Sequence, residues 1–210
     1  MYLTRIHLNY ESRKTRVALM NPNLFHLAVE GCFIHGDDPK IRERHLWRID
    51  TLKDKMYLLI ISEKKPDLVN IETVYGYGVG SGETKLYDSI KSRLIVDTKW
   101  RFRVKANTVK RNGECSVPQT TVGYQKQWFI DKASRFGFSV TDNDFTVVSR
   151  GIDSFAKAEG NKKGNKVTLT TATFEGVLTV KDAELFWHTL CNGFGKGKAY
   201  GCGMLTIIKI

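Results

Sequence analysis

From Trp100 onward the hydrophobic pattern switches repeatedly between period two and helical spacing, and the order of those switches leaves few folds open. Trp100 to Lys110 reads as a strand. Val122 to Arg135 reads as a helix, capped by Thr120 or Thr121 and stopped by Gly137. Short strands follow at Phe138 to Val140 and Phe145 to Ser149, and a long hairpin spans about Ile152 to Val180, with its tip near Gly160 to Gly164. A helix from Ala183 to Leu190 and a closing apolar strand from Met204 to Ile208 complete the series.

The first half shows part of the same order. A strand from Tyr2 to Asn9 leads into a polar, basic connection, Glu11 to Arg16. Asn21 as N-cap and Pro22 at the first helical position open a helix. Strands around His45 to Asp50 and Lys55 to Ser62 are joined by a tight turn, and Tyr75 to Arg93 reads as a loop or linker. Strand–helix–strand–strand–helix–strand is the ferredoxin-like (RRM-like) order. The expected architecture is therefore α+β: two tandem ferredoxin-like domains, 1–96 and 97–210, ending in a glycine-rich loop.

Charge narrows the partner. Across 210 residues, 33 Lys and Arg face 22 Asp and Glu, a formal charge of +11 that favours a polyanion. The longest apolar runs, such as Tyr57 to Ile61, are strand-sized, and Met1 to Arg5 already reads as a strand, so neither a membrane span nor a signal peptide is expected. Cys32, Cys115, Cys191 and Cys202 form no CxxC pair and read as reduced thiols of a cytoplasmic protein. His188 and Cys191 lie one helical turn apart, but with Cys202 they lack a fourth ligand. Trp187 and His188 therefore read as packing residues, and no metal or other cofactor is expected.

The run Gly193-Phe194-Gly195-Lys196-Gly197-Lys198-Ala199-Tyr200-Gly201-Cys202-Gly203 holds five glycines in eleven residues. Such backbone turns its N–H groups toward anions, and the lysines add point charges. A nucleotide P-loop is excluded, because Lys198 precedes Ala199 and a strand rather than Ser or Thr and a helix. The dinucleotide fingerprint fails at its third glycine. A loop tracking the phosphates of a polymer through Lys196 and Lys198 fits; a hairpin serving chain geometry alone is the competing reading.

Of five histidines, His26 stands out. Leu24, Phe25, Ala28, Val29, Cys32 and Phe33 gather on one side of their helix, and His26 falls at the margin, with Glu30 one turn later. A histidine there is held yet accessible, with acid and base forms both available near neutrality. A structural histidine bonded to Glu30 is an equal reading of the spacing. In the strand Trp100 to Asn107, the alternate positions Arg101, Arg103, Lys105 and Asn107 form a polar row with no acid among them, extended by Lys110 and Arg111. Lys157, Lys162, Lys163 and Lys166 crowd the hairpin tip, and Lys126 adds charge on the preceding helix. A cationic ribbon of this kind can enter a nucleic-acid groove near a helix end or loop.

Leu3-Thr4-Arg5, Asn21-Pro22-x-x-x-His26, Leu46-Trp47-Arg48, Arg101 to Asn107 with Lys110-Arg111, Phe174-Glu175-Gly176 and the terminal glycine run occur in this order. Together they resemble the CRISPR-associated repeat-RNA endoribonucleases of the Cascade (type I-E) system, the CasE family, over essentially the whole chain. The resemblance implies metal-independent cleavage at the 3′ base of the repeat stem-loop, retention of the crRNA, and partnership with other Cascade subunits. By position His26 matches the family's catalytic histidine. Asn23 stands where the family often has tyrosine and is the candidate assisting group; Leu27 replaces a common basic residue. The second function class, compatible with the same surfaces, is a non-catalytic subunit that binds an RNA hairpin. A nucleotide-dependent enzyme is disfavoured by the failed P-loop match.

Overall fold

A computed structural model describes residues 1–33, 43–113, 115–157 and 164–210. The chain falls into two compact units: one comprises Met1–Asp88 with Phe155–Lys166 and Ala199–Gly201, the other Ser89–Ser154, Val167–Lys198 and Cys202–Ile210.

In the first unit, β1 (Tyr2–His7), β2 (Leu46–Leu52), β3 (Lys55–Ser62) and β4 (Gly82–Leu86) form an antiparallel sheet in the order β2-β3-β1-β4. Helices α1 (Arg13–Met20) and α2 (Pro22–Glu30) connect β1 to β2, and α3 (Val69–Tyr75) connects β3 to β4. This is the complete split βαβ order. β2 and β3 turn on Lys53 and Asp54, both at positive φ (48° and 62°), the two-residue geometry that suits strand twist. Ile6, Leu8, Leu58 and Ile60 from the sheet pack with Ala18, Phe25, Val29 and Ile71 from the helices.

Two elements here differ from the sequence expectation. The connection expected over Glu11 to Arg16 is largely α1, whose fully buried residues are only Thr15 and Ala18, with Leu19 partly buried beside them, too small an apolar stripe to register as a period. Within the expected loop, Tyr75 to Arg93, lie the end of α3, the strand β4 and a 3-10 turn, Asp88–Arg93. β4 lacks an apolar face because it is a largely exposed edge; polar cross-strand pairs hold it, Thr4 to Thr84 (2.9 Å) and Arg5 to Glu83 (2.5 Å). Buried Glu72 fixes the approach to it by accepting from the N–H groups of Gly80 (3.0 Å) and Gly82 (2.6 Å).

The second unit repeats the order. β5 (Lys99–Asn107), β8 (Phe138–Ser139), β10 (Lys166–Val180) and β11 (Leu205–Lys209) are arranged β11-β5-β10-β8, with β9 (Phe145–Ala156) paired to β10. The crossovers carry α4 (Val122–Ala133) and α5 (Ala183–Asn192), and a small hairpin, β6 (Val109–Asn112) and β7 (Cys115–Pro118), precedes α4. Thr121 caps α4 through Tyr124 N–H, and Gly137 leaves the following 3-10 turn at φ 79°. The strand expected at Phe145 to Ser149 and the first arm of the expected hairpin are one strand, β9. Phe102, Phe129, Phe138, Phe145, Phe174 and Phe194 form an aromatic core around Phe129, which stacks on Phe102 and Phe174 and meets the others tilted. No helix among the described residues is long and apolar enough to cross a membrane.

Candidate active site and nucleic-acid interface

The start of α2 sets where His26 lies. The Asn21 side chain accepts from Asn23 N–H (3.2 Å), and Pro22 supplies a preformed helical φ. Phe25 and Val29 then enter the core, which leaves His26 at the rim, its side chain 28% exposed. Its Nδ1 is 3.8 Å from Glu30 Oε1, and that oxygen accepts from Nδ1 of His45 at 3.2 Å. The His45 side chain is 1% exposed, and its ring stacks on Phe33 with centroids 3.7 Å apart and planes 4° from parallel.

A second element borders His26. Tyr200 presents its ring edgewise to the imidazole, centroids 6.2 Å apart, and Phe155 meets Tyr200 on another edge at 4.9 Å. The Ala199–Gly201 segment is fastened by the Trp47 indole N–H, which donates to the Ala199 carbonyl (3.2 Å). Gly201, at φ 75°, lets the backbone lie against the same indole; a Cβ there would sit 2.8 Å from the ring. Sequence spacing revealed neither His45 nor Tyr200 as neighbours of His26. The signal for Tyr200 was an aromatic set in the glycine run, and for His45 none.

Asn23 is 2% exposed, with its backbone N–H spent on the cap and its Nδ2 buried without a hydrogen-bond partner. A side chain so placed is not presented to a ligand at the surface.

The expected cationic row on β5 is changed by its neighbours. Arg103 forms an ion pair with Glu175 of β10, and Lys105 pairs with Asp153 of β9 at 2.9 Å. Asn107 is buried, its Oδ1 accepting from Thr170 N–H (3.1 Å). The row without an acid was a property of one strand read alone; the acids come from strands distant in sequence. Arg101 remains exposed. Lys110 lies 3.8 Å from Asp131, Arg111 donates to the Gly113 carbonyl, and Lys126 pairs with Asp142 at 2.8 Å. Lys157 and Lys166 are exposed at the base of the β9–β10 hairpin; Lys162 and Lys163 lie outside the described residues.

Lys196 is exposed in the glycine run, and Lys198 begins its 3-10 turn, Lys198–Tyr200. A cluster that the strand reading did not single out forms around Lys132. Burial, and then the charges of Arg135 and Lys196 beside it, hold the Lys132 ammonium below its ordinary pKa, and its Nζ lies 5.3 Å over the Trp128 ring. The glycines also serve the chain itself: Gly203, at φ 85°, donates to the Lys105 carbonyl (2.6 Å) and accepts from Phe194 N–H (2.7 Å).

Among the described residues no group of three or more His, Cys, Asp or Glu side chains is placed to hold a metal. Burial pushes the Cys32 and Cys202 thiols up to about 12, so neither is a thiolate near neutrality.

A family model of CRISPR-associated proteins matches residues 1–209. The CRISPR-associated endoribonuclease Cse3 of Thermus thermophilus is 26% identical over 216 residues, covering 99% of each chain. The Cascade subunit CasE of Escherichia coli is 31% identical over 118 residues, 56% of this chain and 53% of that one. A solved structure of CRISPR endoribonuclease Cse3 bound to a 19-nucleotide RNA aligns with a TM-score of 0.78, covering 99% of this chain and 100% of that one at 25% identity. A match along the whole length, in sequence and in fold, leaves one assignment: the chain belongs to the CRISPR-associated protein family.

Proposed function

We propose that this protein is the endoribonuclease that binds the CRISPR repeat stem-loop, cleaves precursor crRNA at the 3′ base of the stem, and keeps the crRNA as a subunit of Cascade in the cytoplasm. The observation that carries the chemistry is His26: a half-exposed imidazole facing a carboxylate and edged by Tyr200, at the rim of an otherwise packed helix. The Cse3 relative is an endoribonuclease and its fold is known with RNA bound, which supports the same substrate class here.

The reaction follows from RNA itself. The 2′-oxygen bonds to the adjacent phosphorus as the P–O5′ bond breaks. The 2′-OH proton passes to a base, and the leaving 5′-oxygen takes a proton from an acid. The products are a 2′,3′-cyclic phosphate and a 5′-hydroxyl. His26 supplies one of these proton transfers, worth about 10²–10⁴-fold. Holding the 2′-OH in line with the leaving oxygen contributes several kcal/mol more, on the order of the gain from orientation. Lys196 and Lys198 are assigned to the phosphate backbone with Arg101, and Lys157, Lys162, Lys163 and Lys166 to the stem. Asn23, buried, is assigned to the helix cap rather than to the reaction.

Repeat RNA incubated with the purified protein in EDTA should be cut to these two ends. RNA with a 2′-deoxy sugar at the scissile linkage should bind and stay intact. Cleavage of the deoxy substrate would falsify the internal nucleophile, and binding without cleavage of the all-ribose RNA would favour the non-catalytic hairpin-binding subunit.

A further inference from the structure

His45 is deeply buried, yet among the described residues its ring nitrogens make a single hydrogen bond. A carboxylate can only accept, so the 3.2 Å contact between His45 Nδ1 and Glu30 Oε1 fixes the proton on Nδ1. Nε2 is buried without a hydrogen-bond partner among the described residues, with Glu43 Oε2 4.0 Å away. The ring lies flat in its stack on Phe33. Orphaned buried polar atoms are rare, and each calls for an explanation other than stability.

The geometry this one holds is that of Glu30. Its Oε1 receives the His45 proton on one side and lies 3.8 Å from His26 Nδ1 on the other, within ion-pair range and slightly beyond a hydrogen bond. A buried donor thus pins a half-exposed carboxylate in front of a half-exposed imidazole. The carboxylate faces Nδ1 of His26.

We propose that Glu30 and His45 are positioning residues for His26: His45 fixes the Glu30 carboxylate, and the charge of that carboxylate orients the His26 ring and favours its protonated form. This rests on the reading of His26 as the proton-transfer group. Among the described residues the other charged or titratable groups facing the trio are Glu43, which pairs with Lys64 at 2.5 Å, and Tyr200.

The test uses the full chain and repeat stem-loop RNA. Glu30→Gln keeps an acceptor for His45 Nδ1–H and removes the charge. His45→Phe keeps the stack on Phe33 and removes the donor. Glu30→Gln should lower the single-turnover rate at saturating protein by roughly 10- to 100-fold, the range for groups that orient a functional histidine. RNA affinity should stay unchanged. Because the carboxylate favours the imidazolium, its loss should move both the pH limb of cleavage and the NMR titration of the His26 ring to lower pH. His45→Phe should slow cleavage in the same sense, and Glu30→Gln added to His26→Ala should slow it no further.

If His26→Ala abolishes cleavage while Glu30→Gln leaves rate and pH limb untouched, the positioning role is overturned and the reading of His26 stands. If His26→Ala cleaves normally, the reading of His26 fails instead. The ring titration then still decides the pairing, since an unmoved titration in Glu30→Gln removes it.

Discussion

His26 and His45 approach one carboxylate oxygen, and burial separates what each can do: the His26 side chain is 28% exposed, that of His45 1%. A ring that never meets solvent cannot exchange a proton with RNA, whereas a half-exposed ring held on two sides can. The positioning role therefore belongs to His45 and the chemical one to His26. His26→Ala should lower single-turnover cleavage by at least about 10², the lower end for losing a general acid–base group. RNA affinity and melting temperature should barely move, because Phe25 and Val29 keep the same helix in the core. Were His26 only a structural partner of Glu30, the melting temperature would fall and the folded fraction would cleave at the wild-type rate. Melting curves and single-turnover rates from the same preparations separate these outcomes.

The glycine run shows how one element answers to two demands. Gly203 and Gly195 both have positive φ, 85° and 73°, but their surroundings differ. A Cβ at Gly203 would lie 2.3 Å from the Phe194 carbonyl oxygen, whereas at Gly195 it would meet only the Trp128 ring at 3.6 Å. Gly195→Ala should cost about 1–2 kcal/mol, the left-handed penalty alone. Gly203→Ala adds a backbone collision that no rotamer relieves, and thermal unfolding should show the larger loss; equal losses would mean that the run yields easily at Gly203. Elements whose signal is local were legible in the sequence: α2 by its Asn-Pro start, α4 by its Thr cap and glycine stop, β5 by its alternation. β4 was not, because an edge strand held by Thr84 and Glu83 carries no apolar face. Nor were the acids that meet Arg103 and Lys105, since strand pairing joins residues that spacing within one strand cannot connect. The site divides the same way. His26 was visible at a helix margin, but the partners of its carboxylate and its ring edge arrive through tertiary packing.

For the whole molecule, a charge of +11 sets the approach of RNA, but the cations do not contribute equally. Arg103, Lys105 and Lys126 already have carboxylate partners, so a phosphate would have to compete for them. Burial first, and then Arg135 and Lys196 beside it, hold Lys132 below its ordinary pKa, and an approaching phosphate offsets the repulsion among these three cations. Each true phosphate contact should contribute roughly 0.7–0.9 to the slope of log K against log[salt]. Neutralising Lys132, Arg135 and Lys196 together should therefore flatten that slope more than neutralising Arg103, Lys105 and Lys126. Replacing Lys162, Lys163 and Lys166 should also flatten it if the hairpin enters the stem. Salt should act on affinity alone: at saturating protein the single-turnover rate should stay level as salt rises, because the buried histidine that pins the Glu30 carboxylate is little screened by salt. A slope indifferent to the Lys132 cluster would return RNA binding to the paired cations of β5 and α4. A rate that falls with salt at saturation would mean that exposed lysines, not the pinned histidine alone, act on the reacting phosphate.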